Sequence, residues 1–199
     1  MNIISRLHVN IRTALVLGTV VLFAACGGEK KPAREQDMPP PVNIPLAKQQ
    51  GGLIKPIEVP ADRLPDLSGL SDIEAEVFKR TIGLQIPYYD MLGKWADHAN
   101  TITQGEEAAA SLREYLNIQN DFTKAMQRLD LEFAGKIDPN YAGSPAFEKV
   151  IDRYMDDPAL IGKTEHIMMS YSNLMKRFKD DPACRDFFAE VERIARESQ

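Results

Sequence analysis

The side chains able to bind a metal or a haem are few: three histidines, two cysteines and eight methionines in 199 residues. His98 falls one turn after Trp95, on an apolar row running from Val77 to Ile102. Opposite Met91, Met126, Met155, Met168 or Met175, it would supply the His/Met ligation used for haem inside helical bundles. One histidine among unpaired methionines is also the ordinary content of an adaptable core. A carboxylate-bridged di-iron centre needs Glu-x-x-His on two helices, and the chain has no such spacing. His166 lies with Lys163, Ser170, Asn173 and Arg177 on what reads as a solvated helix face. Asp97–His98 and Glu165–His166 are sequence neighbours, so within a helix those side chains do not face each other. Cys184 shares an apolar face with Phe188 and Val191 and reads as a buried small hydrophobe, without the base a nucleophile needs. Phosphate loops, zinc spacings and nucleophile elbows are missing. No enzyme, no metal and no resident cofactor is therefore expected, and His98 is the candidate ligand if a cofactor is present after all.

The remaining reactive side chain, Cys26, stands where an apolar run stops. Residues 1–12 carry Arg6 and Arg12 and no acid, and residues 13–25, "TALVLGTVVLFAA", carry no charge. Thirteen such residues are short for a bilayer span, which needs about 20. A basic start, a short apolar run and small residues before a cut site read as a secretory signal. "LFAAC" resembles the lipobox of bacterial lipoproteins, with Ala24 and Ala25 matching and Phe23 standing where Leu is usual. The resemblance covers residues 1–26 alone. It implies cleavage before Cys26 and acylation of its sulfur, and several acyl chains on one residue give stable anchoring. Gly27 in place of Asp implies, by the same resemblance, export to the outer membrane.

With Cys26 lipidated, Cys184 has no intramolecular partner, and the core must hold without a disulfide. The net charge of −5 becomes about −7 once Arg6 and Arg12 are cleaved away. Residues 27–66 hold six basic and six acidic side chains, so the excess acid lies beyond them. A nucleic-acid partner, which demands a basic face, is not expected.

Eight prolines fall between positions 32 and 65, among apolar residues without period. Proline removes a backbone donor and blocks helix, so residues 26–66 read as a lipidated cysteine and a flexible Pro-rich tether. Whether the apolar piece "GGLIKPIEVP" docks on the domain as a strap is left open by its pattern.

From residue 67 to 199 the pattern is helical. Ser71 with Glu74 forms a capping box, and apolar residues then recur through Val77, Leu84, Tyr88, Met91, Trp95 and Ile102, with Pro87 predicting a kink. Thr103 with Glu106 predicts a second box. Beyond it Ala108, Leu112, Tyr115, Phe122, Met126, Leu129 and Phe133 form one stripe, closed by Gly135. Ser144–Pro145, Asp157–Pro158 and Asp181–Pro182 each place a cap before a proline at the first helical position. No segment alternates as a strand would. The fold expected is all-α, a bundle of four to five helices. The function expected is that of a lipid-anchored, periplasm-facing helical protein that binds an envelope protein or a periplasmic ligand; the competing reading is a cofactor-carrying bundle with a redox or sensory role.

Overall fold

The computed structural model describes residues 54–137 and 143–197. Five α-helices lie among them: α1 (Asp72–Ala99), α2 (Gly105–Phe133), α3 (Pro145–Met155), α4 (Pro158–Phe178) and α5 (Arg185–Glu197). No strand occurs among the described residues, and none of their helices is long and apolar enough to cross a membrane. The molecule is an all-α bundle.

Local chemistry starts most of these helices. The Ser71 hydroxyl accepts from the Glu74 amide, and the Glu74 carboxylate accepts from the Ser71 amide at 2.9 Å. Ser144 Oγ accepts from the Phe147 amide, and Asp157 accepts from the Ala159 amide. Asp181 repeats that bond with Ala183, opening a 3₁₀ turn, Pro182–Cys184, that runs directly into α5. The Thr103–Glu106 box does not form: Gln104 is the N-cap and makes no side-chain bond. Tertiary contact moves this start. Gly105 lies against Asp181, whose carboxylate a Cβ there would strike, and the Gly105 carbonyl accepts from Cys184 Sγ at 3.5 Å.

α1 and α2 run antiparallel. Tyr88 stacks on Phe122 at 4.1 Å, Trp95 meets Tyr115 at 4.7 Å, and Arg80 bonds Glu132 at 2.7 Å at the far end. α3 and α4 together run parallel to α1 as one helix broken at Asp156–Asp157. Glu74 accepts from the Ser144 amide and Phe78 packs on Phe147 and Tyr154. Higher up, Asp90 meets Lys163, Asp97 meets His166, and Asn100 donates to Ser170. Arg177 then donates to the carbonyls of Ala99 and Ile102, which the end of α1 leaves without helical partners. The turn and start of α5 close the remaining side by burying Cys184 and Phe187.

The chain ahead of α1 is part of this unit. Ile54 is 5% exposed, within the core cluster, and Val59, Leu64, Leu67 and Leu70 pack against that cluster. Among the described residues, packing against the core is already present at Ile54, upstream of the boundary that composition suggests at residue 67. Apolar side chains three to five residues apart without helical period were free to dock as an extended strap, and they do. Its backbone reaches α1 at Gly83, where Ile57 N–H donates to the Gly83 carbonyl at 3.0 Å.

Candidate functional site

The strap, the α3–α4 break and a 3₁₀ turn at Ala61–Arg63 enclose an open groove of about 680 Å³. Asp62, Arg63, Leu64 and Pro65 form one wall; Arg153, Tyr154, Asp156, Asp157 and Pro158 form the other. The break exists because Asp157 caps α4 and Pro158 cannot continue α3. Tyr154 is fixed from behind by the edge of Phe78, ring centroids 5.8 Å apart. Burial, with Tyr89 and Asp157 nearby, raises the Tyr154 hydroxyl pKa and keeps it a neutral phenol.

The polar inventory of the groove is uneven. Asp157 is committed to the Ala159 amide. Asp66, just below the wall, is held below its usual pKa by the Ser68 amide and hydroxyl, despite slight burial, with Arg153 adding a smaller effect. Arg63 and Arg153 are exposed, and neither has an ion pair among the described residues. Arg63 lies within the segment that reads as tether, and no motif surrounds Arg153 in the sequence. The Asp157–Pro158 break was the one local sign that a recess would open beside Arg153.

Cys26 lies outside the described residues. His98 is the correction. It was expected on the inward row, but its side chain is 52% exposed and its Nε2 lies 3.7 Å from Glu107 Oε1. The row advances four residues from Trp95 to Ala99, which is fully buried, and the three-residue step to position 98 points outward. His98 thus faces solvent and does not line the bundle interior. Met126 is buried in the apolar core, while Met169 is 64% exposed. No cluster of three or more His, Cys, Asp or Glu side chains suited to a metal occurs among the described residues.

His166 also departs from the simple solvated face. Its Nε2 meets Asp97 Oδ1 at 2.9 Å across the α1–α4 seam, where Ser170 is buried and Arg177 caps α1. These contacts join helices, and no recess opens beside them. Cys184 is fully buried and its thiol pKa is raised by burial, and by Asp181, so it is inert as a nucleophile. A second polar anomaly lies on the lower halves of α1 and α2. Thr81 Oγ1, both amide atoms of Gln85 and Asp130 Oδ1 are buried without hydrogen-bond partners among the described residues. Each such atom left without a partner costs about 1–3 kcal/mol.

Neither a family model, nor a curated protein, nor a solved structure matches this chain.

Proposed function

We propose that the mature protein is a lipid-anchored binding module, held by acyl chains on Cys26 to a membrane of the cell envelope, the outer membrane facing the periplasm. The observation that carries this reading is the apolar run ending at "LFAAC", followed by a proline-rich tether. Acyl chains are the strong anchor such a segment provides. In this reading the helical domain captures an envelope protein or a periplasmic ligand. The groove between the strap and the α3–α4 break supports it, as a recess lined by two arginines without ion pairs among the described residues. Its volume of about 680 Å³ falls in the range of ligand sites, which runs from about 300 to 1,000 Å³.

Membrane fractionation of wild type and Cys26→Ser tests the anchor. The wild type should stay with membranes through a high-salt wash, and the serine variant should be released. Retention of the variant would overturn the lipoprotein reading. Capture from solubilised envelope with the anchored wild type then tests the binding role.

A further inference from the structure

We infer that the strap is a tension-sensitive latch: a pull on the chain ahead of Ile54 detaches residues 54–70 from α1 before any helix yields, and takes one wall of the groove with it. That a membrane supplies the pull rests on the reading of Cys26 as a lipid anchor.

The strap stands in series between that anchor and the helices. Among the described residues, one hydrogen bond joins residues 54–70 to the bundle, from the Ile57 amide to the Gly83 carbonyl at 3.0 Å. The other hydrogen bonds of the strap close within it: Arg63 to Pro60, Leu64 to Ala61, Leu70 to Leu67 and Ser68 to Asp66. Apolar grip is thin as well. Ile54 is its one buried side chain, Ile57 is 42% exposed, and Val59, Leu64, Leu67 and Leu70 are partly buried. An extended segment pulled from its end loads such contacts one after another, so each breaks alone. α1 and α2 meet the same pull differently, because Arg80 with Glu132, Tyr88 with Phe122 and Trp95 with Tyr115 join them along their length. A segment with few buried contacts opens at a lower free energy than a closed core does.

The lining of the groove sets the consequence. Asp62, Arg63, Leu64 and Pro65 belong to the strap, so the groove keeps only its α3–α4 wall once they leave. Seating at Gly83 and closure of the groove are then one two-state change, and whatever holds one holds the other. Reseating requires no helix to refold, since the acceptor at Gly83 is fixed within α1.

Optical trapping of the unacylated mature chain, residues 26–199, tests the latch. One handle is attached to the Cys26 thiol and the other to a cysteine introduced by Lys124→Cys, at an exposed position on α2, while Cys184 is fully buried. Two steps are expected. The first, at the lower force, lengthens the chain by up to about 60 Å, the reach of the seventeen residues from 54 to 70 when extended. The second is loss of the helices. Handles at Lys79→Cys and Lys124→Cys, with Cys26→Ser, leave the strap outside the path and should show the second step alone. Gly83→Ala should abolish the first step, and Ile54→Ala should lower its force while the second step remains. A single step in which strap and helices part together would overturn the inference, as would a first step unchanged in both variants. Membrane fractionation of Cys26→Ser tests the anchor by itself, so a strap that does not release and an anchor that is absent are told apart.

Discussion

The amide of Ile57 donates to the carbonyl of Gly83 at 3.0 Å, four residues before Pro87. The three residues explain one another. Pro87 has no N–H, so the Gly83 carbonyl loses the helical partner that position 87 would supply. A buried carbonyl without a partner is costly, and the strap supplies the missing donor. Gly83 is what allows the approach, since a Cβ there would sit 2.5 Å from the Ile57 carbonyl oxygen. The strap that forms one wall of the groove is thus seated by a proline and a glycine inside a helix.

Gly83→Ala should unseat the strap. Alanine would strengthen an isolated helix by about 1 kcal/mol. Displacing the strap also exposes Ile54, however, and loss of a buried Ile side chain costs about 2–5 kcal/mol. Net destabilisation is expected, with faster hydrogen exchange at the Ile57 amide and new proteolysis near residue 57. An alanine variant that is more stable and keeps Ile57 protected would refute this account. By the same logic, a fragment starting at 54 should be more stable than one starting at 67.

Trp95 is a core residue, 3% exposed, with its indole N–H donating to the Ser111 carbonyl at 2.8 Å. Trp95→Ala should cost about 3–5 kcal/mol in denaturant unfolding. Trp95→Phe keeps the ring contact with Tyr115 but removes the second donor of the Ser111 carbonyl, which keeps its helical partner, at about 0.5–1.5 kcal/mol. The wild-type emission should be blue-shifted and poorly quenched by iodide; a red, easily quenched emission would contradict the packing.

Glu74 joins two helix starts. Burial would raise its pKa, but the amides of Ser71 and Ser144, helped by their hydroxyls, outweigh burial and hold it at about 2 against an ordinary 4.5. The folded value lies below the unfolded one, so the contribution is complete above pH 4.5 and is lost as pH falls toward 2. The loss should be on the order of 1–2 kcal/mol once screening by nearby water is allowed for. Glu74→Gln should be less stable at neutral pH and lack this acid-dependent step. An unchanged step in the variant would assign it elsewhere.

Asp130 works in the opposite direction. Burial alone raises its pKa to about 6 from an ordinary 3.8. A folded value above the unfolded one means that ionisation opposes folding, so this group's penalty fades as pH drops through 6 toward 3.8. Asp130→Asn should stabilise the protein above pH 6, on the order of 1 kcal/mol after discounting for partial exposure, and make no difference below 3.8. Destabilisation by Asn at neutral pH would show that the charged form has a favourable partner. Together the two carboxylates place their stability optimum between about 3.8 and 4.5, where Glu74 is nearly fully ionised and the Asp130 penalty has barely begun.

The residues themselves determined the signals that act within a turn of helix. Ser71, Ser144, Asp157 and Asp181 cap where their spacing says, because a side chain and an amide two or three positions away meet in any context. The stripe from Ala108 to Phe133 is buried as its period requires. What distance in the chain separates, only the tertiary structure decided. Thr103 lost its cap to contacts that Gly105 makes with Asp181 and Cys184, nearly eighty residues on. His98 and Ala99 are neighbours, and packing against α2 and α4 chose Ala99 for the interior. The strap carries no period, so its docking depended on a carbonyl that Pro87 had left free. Arg63 and Arg153 came to line one groove because α3 breaks beside the strap. Local hydrogen bonds are specified by spacing, whereas shared burial is specified only when the whole bundle closes.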